Sequence, residues 1–359
     1  MKLIDRILVA TAALVIAWPA LAEQWPATVR IASIAAFVDG KSQISGGQTA
    51  VIAAQGQLAA ELKKHGVELQ WVPVPVGVGG PVFNEALANG GADFASYGDF
   101  PSIVGKAGGI DIKLIVPAGH GTNSYLIVPA DSKAQSLADL KGKRLSIQRG
   151  RPLELPFSQL LRAQNLRYGD FRLLNVNAQA GAAALAAHDV DALFTGSEAY
   201  LLQDKGIGRI IWSSKNTALK WRAELFVRRE FAEKYPQLTQ LVTTAYVRTA
   251  YWSSQEENRD QVIAITTRGI TPLSVVQRDY EGESWRDRWS PLFDQLTIDH
   301  YREAIAFMYE QKLIRRDFSV DDLIEPKYLN AALRELKLEN YWTPRHSDAG
   351  AEQAARKTP

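Results

Sequence analysis

Residues 86–93 read Ala86-Leu87-Ala88-Asn89-Gly90-Gly91-Ala92-Asp93, and they lie without a gap over residues 184–191, Ala184-Leu185-Ala186-Ala187-His188-Asp189-Val190-Asp191. The same offset puts Gly98 on Gly196. Each copy runs helix, polar turn, aspartate, short apolar strand, glycine, then the start of another helix. Any two βαβ units look partly alike; the sharper reading is two similar α/β lobes. Gly98 and Gly196 then both stand where the carboxyl end of a strand meets a helix N-terminus, which in open α/β sheets is the ligand edge. Two such edges facing each other make a cleft.

Outward from this repeat, strand and helix patterns alternate. Strand-like stretches cover 28–33, 67–72, 93–97, 113–117, 125–128, 144–148, 171–174, 192–194, 209–212 and 224–227. Between them, 48–65 is a helix with Val51, Ile52, Leu58, Ala59 and Leu62 on one side and Gly66 as its stop. Pro81 opens a second helix, over 81–89, and Asp99 a third. Residues 137–141 make one turn closed by Gly142, 153–164 a helix, and 178–187 an alanine-rich helix suited to close packing. From Arg228 onward the pattern is almost wholly helical. Alternation of this kind predicts βαβ units in mostly parallel sheets covered on both faces, with a helical C-terminal extension packed on them.

The chain has 359 residues, 46% of them apolar and 22% charged, an ordinary globular composition. Lys and Arg number 41 against 39 Asp and Glu. That balance excludes a protein built on nucleic-acid phosphates. There is no cysteine, so disulfides, thiolate metal sites and cysteine nucleophiles are excluded. Residues 1–22 read as a cleaved secretory signal: Lys2 and Arg6, an apolar run over 7–17, Pro19, then Ala20-Leu21-Ala22. The apolar stretch is shorter than the roughly 20 residues a spanning helix needs. The mature chain is therefore expected in the periplasm. The tail over 347–359 is small, polar and expected to be disordered.

Catalytic signatures are missing. There is no H-E-x-x-H, no G-x-S-x-G and no phosphate loop. The GDFPSIVGK stretch over 98–106 has the wrong spacing, and Pro81 spoils a dinucleotide pattern after Gly77-Val78-Gly79-Gly80. The five histidines show no ligand spacing. Neither a metal nor a cofactor is expected, and the protein is read as a binder, not an enzyme.

Several segments then resemble the periplasmic sulfonate/nitrate/taurine-binding proteins of ABC importers. They are Gln55-Gly56-Gln57-Leu58, Gly80-Pro81 with Glu85-Ala86-Leu87, residues 93–101 (DFASYGDFP), residues 137–147 (LADLKGKRLSI) and residues 229–236 (REFAEKYP). Together they span roughly 28–258. The resemblance implies a two-lobe periplasmic binding protein fold of type II, with lobe one over 23–119, lobe two over 120–221, and a return to lobe one with the helical extension over 222–346. It also implies a small anionic or zwitterionic ligand in the cleft, an inner-membrane ABC permease with its ATPase as partner, and a monomer. Arg149-Gly150-Arg151-Pro152 departs from the family's Lys-Gly-Ser, and Gly196-Ser197-Glu198 from its Trp-Asp-Pro. The loop over 39–47 and the extension after Thr267 are also longer than typical. The organic anions to consider are therefore sulfonates first, then pyrimidines, nitrate or aromatic carboxylates. A periplasmic enzyme on the same fold, or a sensory or scaffold protein without a transport partner, is the rival of another class.

An anion needs donors, and helix N-termini supply free N–H groups and a positive dipole end. Candidates are Gly47 with Gln48, Gly98 with Asp99, Arg151 with Pro152, and Gly196 with Ser197. Arg151 could hold an anion bidentately. Arg149 is the weaker neighbour, and Arg222 a second anion partner. Asp99 is expected to cap its own helix. With Glu154 and Glu198 it otherwise argues for a zwitterion such as taurine, or a ligand bearing hydroxyl or amide donors, over bare nitrate. His120, Thr122 and Asn123 lie on the crossover between lobes, where they either read the ligand or close a turn. Trp221 could flank an apolar ligand body. The charged run over 281–288 is expected to be a solvated face, with contact to the transporter as its rival role.

Overall fold

The computed structural model describes residues 24–346 except 39, 76–77, 216 and 268–270. The expected signal segment and the tail from Ser347 lie outside the described residues. The chain lays down β1 (Thr28–Val38), β2 (Lys41–Ile44), β3 (Glu68–Pro75), β4 (Phe94–Gly98) and β5 (Ile112–Val116). It crosses over to build β6 (Tyr125–Pro129), β7 (Arg144–Ser146), β8 (Arg172–Leu174), β9 (Ala192–Thr195) and β10 (Gly208–Ser213), then returns as β11 (Ala223–Arg228). The first sheet runs β3-β1-β4-β11-β5, with β2 folded back on β1; the second runs β10-β6-β9-β7-β8.

The parallel pairing expected of βαβ units holds for β1 with β3 and β4, and for β7 with β8 and β9. Pairs made by the crossing strands are antiparallel: β11 with β4 and β5, and β6 with β9 and β10. The sheets are therefore mixed. A strand that returns from the other lobe re-enters its sheet from the far end, which reverses it. The two passages between lobes touch, as Thr122 N–H donates to the Trp221 carbonyl at 2.8 Å.

Strand alternation sends neighbouring residues to opposite faces. Ala32, Tyr97 and Phe226 meet Phe83, Tyr301 and Met308 on one side of the first sheet. Ile31, Phe94 and Val227 meet Leu238, Val242 and Tyr246 on the other. Helices Pro236–Ser253 and Gln295–Glu310 of the final third thus cover opposite faces of that sheet. In the second lobe, Leu126, Phe194 and Trp212 pack with Phe157, while Ile127 and Leu193 pack with Leu185. At Gly181, in helix Ala178–Ala186, a Cβ would come within 2.8 Å of Leu193 and Ser146, so this helix lies close on its sheet.

Three local differences from the sequence reading have physical causes. The expected helix over 48–65 is two helices, Gly47–Gln55 and Gln57–Lys64, because Gly56 takes φ 67° and ends one while starting the other. The loop over 39–47 contains a strand: β1 continues into a hairpin, with Ala35 opposite Ile44 and Val38 opposite Lys41. The run over 281–288 is a solvated face only in part, with Glu281, Ser284 and Arg286 exposed. Trp285 and Arg288 are buried, Glu283 pairs with both Lys220 and Arg288, and Trp285 and Trp289 pack with Val51, Val262 and Ile263. Glu283 and Arg288 are satisfied by each other and by Lys220 instead of by water.

Candidate ligand site between the lobes

The carboxyl ends of β3, β4, β7 and β9 each lead into a helix start, so these starts gather along one edge of each sheet. Where the two edges meet, the lobes are in contact. The Arg151 guanidinium lies directly against Gly79: a Cβ at Gly79 would fall 1.6 Å from its Nη1. A Cβ at Gly98 would fall 2.3 Å from Pro152 Cγ. Leu155 of the second lobe packs in a cluster with Tyr97 and Phe100 of the first.

Arg151 is the group most in need of a partner here. Its Nη1 is buried and makes no hydrogen bond. Burial pulls the guanidinium pKa down, and no acidic group among the described residues opposes that shift. It sits at the start of helix Gly80–Ala88, whose cap, Gly79, offers no side-chain hydrogen bond. A cation beside a positive helix end is unfavourable unless an anion lies with them.

Other orphaned donors stand on neighbouring elements. Gln48, 2% exposed in the first turn of helix Gly47–Gln55, leaves both amide atoms unpaired. Trp221 Nε1 on the return passage and Trp289 Nε1 in the extension are also buried and unpaired. His120 donates its backbone N–H to the Arg288 carbonyl at 3.0 Å and leaves Nε2 unpaired. Burial, reinforced by Arg345, Arg222 and Arg288 and only partly countered by Asp294, pushes its pKa down to about 3, so the ring is neutral at physiological pH.

The structure commits the other charged candidates elsewhere. Asp99 is not the cap of its helix; Gly98 is, and Asp99 occupies the first helical position. Its Oδ1 accepts from Phe100 N–H at 2.7 Å, and its Oδ2 takes both Arg222 N–H and His300 Nε2 at 2.9 Å. Arg222 is 4% exposed, with Nε on Glu224 at 2.5 Å and Nη2 on the Gly119 carbonyl at 2.7 Å. It fastens the passage between lobes. Glu154 is buried and holds Arg149 Nε at 2.9 Å together with Gly150 N–H. Arg149 is therefore spoken for as well. Glu198 curls onto its own turn, accepting from Thr195 Oγ1 and Gly196 N–H. Asn123 is buried in a network with Asp279, Glu283 and Lys220, to which Tyr125 adds a hydrogen bond on Asp279. It anchors the extension to the second lobe.

Sequence reading missed Gly79, His300, Trp289 and the Asp279–Glu283–Lys220 group. All are contacts between segments distant in the chain. Gly79 alone had a local signal, the glycine run before Pro81, dismissed because it fits no dinucleotide pattern. A separate cavity of about 400 Å³ lies on the first lobe, among Trp25, Gln55, Leu58, Gln240 and Thr244. Gln240 and Thr244 there are hydrogen-bonded to each other and to Tyr328 and Glu335, so this cavity offers less to a ligand than the interlobe contact.

Comparison with known proteins agrees with the two-lobe fold. A Bacillus subtilis (strain 168) protein named as aliphatic sulfonates-binding is 24% identical over 286 residues, covering 78% of this chain and 83% of its own. The crystal structure of a periplasmic sulfonate-binding protein, SsuA from Methylobacillus flagellatus KT, is 41% identical, with a TM-score of 0.83 over 90% of this chain and 98% of that one. The desulfurization enzyme DSZB, 17% identical with a TM-score of 0.63 over 86% of this chain and 99% of its own, shares the fold alone. The sequence model of the NMT1/THI5-like family matches residues 62–256, more than half of the chain. On the fold and this match together, the chain belongs to the NMT1/THI5-like family.

Proposed function

We propose that the protein is a periplasmic solute receptor that takes a small organic anion, a sulfonate first, between its lobes and hands it to an inner-membrane ABC permease with its ATPase. The observation that carries this is the unpaired, buried Arg151 Nη1 at the contact between lobes. The other unpaired buried groups on the first lobe, the passages and the extension include the neutral donors Gln48, Trp221 and Trp289. A sulfonate matches such a set, because it spreads one negative charge over three acceptor oxygens. The names of the relatives above support the same class.

The carboxylates sharpen the choice. Asp99 already holds Arg222 N–H and His300 Nε2, and Glu154 and Glu198 hold donors of their own loops, which leaves little to receive an ammonium. The reading therefore favours a plain sulfonate over taurine. Lobe boundaries near Gly119–His120 and Trp221–Arg222 fit the paired passages at Thr122 and Trp221, and hinge closure about them would trap the ligand.

A thermal-shift screen of the mature chain from Glu23 tests this. Alkanesulfonates, taurine, sulfate, nitrate, a thiamine-type pyrimidine and benzoate form the panel. A ligand at 100 times its dissociation constant adds about 2.7 kcal/mol. Alkanesulfonates should raise the midpoint most. A shift with pyrimidines or carboxylates alone would keep the fold and discard the sulfonate.

A further inference from the structure

We infer that residues 278–289 form a strap that ties the second lobe to the first beside the two passages and limits how far the lobes open; this rests on the reading of the chain as a two-lobe receptor that closes about those passages. The strap is rooted in the first lobe and its extension. Trp285 and Trp289 pack with Val51 of helix Gly47–Gln55 and with Val262, Ile263 and Val276. Trp285 Nε1 donates to the Gln255 carbonyl at 3.2 Å, and the Arg286 carbonyl accepts from Trp342 Nε1 at 3.0 Å.

From that root the strap reaches the second lobe at two places. One is buried: Asp279 Oδ1 accepts from Asn123 Nδ2 at 3.0 Å and from the hydroxyl of Tyr125, the first residue of β6. The other is at the surface. Arg278 Nη1 donates to Asp204 Oδ1 at 2.6 Å, and its guanidinium lies 4.3 Å over the Tyr200 ring, both on helix Ala199–Asp204. The Arg278 carbonyl also accepts from Lys215 Nζ at 2.9 Å. Both passages are held as well. Glu283 joins Lys220, beside Trp221, to Arg288. His120 N–H donates to the Arg288 carbonyl, and a Cβ at Gly119 would fall 2.1 Å from that oxygen, so strap and passage meet backbone to backbone. Two passages alone make a hinge, opened by dihedral changes at a few residues. A third connection made elsewhere on the second lobe resists that rotation until its contacts break. The contacts of Asp279 engage a carboxylate kept out of water, which makes them costly to lose.

The test is the distance between the lobes, measured by pulsed dipolar spectroscopy on the ligand-free mature chain. The sequence has no cysteine, so Ser42→Cys on β2 and Gln179→Cys on helix Ala178–Ala186, both exposed, place one nitroxide on each lobe. Asp279→Ala and Arg278→Ala are compared with the parent in that background. Asp279→Ala should raise the population at the longer, open distance by about tenfold or more, the scale of hydrogen bonds to a charged group. Arg278→Ala should raise it less, because its pair with Asp204 is partly exposed. Arg278→Ala removes no core side chain and keeps the test decisive if Asp279→Ala fails to fold. Distance distributions that match the parent in every folded variant would overturn the strap. No ligand enters the measurement, so its outcome is separate from whether a sulfonate binds.

Discussion

Arg151, half-buried with its Nη1 out of water, and Arg222, fully buried, both lie where the two lobes join, and their surroundings are opposite. Arg222 has Glu224 on Nε and the Gly119 carbonyl on Nη2, and its backbone N–H is held by Asp99. Burial, the largest single influence, acts to lower its pKa, but the charge and hydrogen bond of Glu224 together with Tyr301 and Asp294 outweigh it and hold the pKa above the ordinary arginine value. Arg151 suffers the burial without the partner, and its pKa is moved down. A buried pair is a fastening; a buried charge left single is a place for a counter-charge. On the function proposed above, the contrast separates the part of the interface that holds the lobes together from the part offered to a ligand.

The sharpest way to break the comparison is to remove each cation in turn. Arg222→Met leaves Glu224, 1% exposed, without its partner. It should cost about 3–5 kcal/mol of stability in urea unfolding. Arg151→Met should do the reverse. Stability should hold or rise, since an unpaired charge is removed, while sulfonate affinity falls by about 1.5–3 kcal/mol, roughly ten- to 150-fold, in calorimetry. Equal stability losses in the two variants would erase the distinction.

Gly98→Ala probes the contact between lobes. Gly98 has φ −71°, which alanine adopts freely, so the strain comes only from Pro152 across the cleft. Overpacking there should raise the energy of the closed form by about 1–3 kcal/mol. Ligand affinity should drop accordingly, while the ligand-free melting midpoint stays near wild type.

The smallest effect is a slope. His120 stays neutral when folded, with its pKa pushed to about 3, whereas the unfolded chain takes up a proton near pH 6.5. Between those values the unfolded state binds more protons, so stability falls as pH is lowered, by up to about 1.4 kcal/mol per unit. His120→Asn should flatten the stability profile between about pH 6.5 and 5. An unchanged slope would show that another group sets it.

The fold was legible because its signals are local. The repeat around Asp93 and Asp191, the alternating strands and the Leu137–Ile147 stretch each carry their own pattern. Gly56 and the β1–β2 hairpin escaped because a single left-handed glycine divides an otherwise continuous helical pattern, and a four-residue strand leaves little periodicity. Part of the site reasoning was local too: Arg151 was singled out as a candidate from its loop and the proline beside it. What sequence could not weigh was occupancy. Arg222, Asp99 and Glu154 have the right chemistry for a ligand, and their partners Glu224, His300 and Arg149 are what remove them from it. His300 lies 201 residues from Asp99, a distance no short motif spans.

The most direct test is a crystal structure of the mature chain with hexanesulfonate bound. The account predicts a sulfonate oxygen within about 2.7–3.2 Å of Arg151 Nη1, with Arg222 still on Glu224 and Gly119. A ligand held on the far side of the cleft, with the Arg151 side chain turned out to water or paired to a carboxylate, would contradict it.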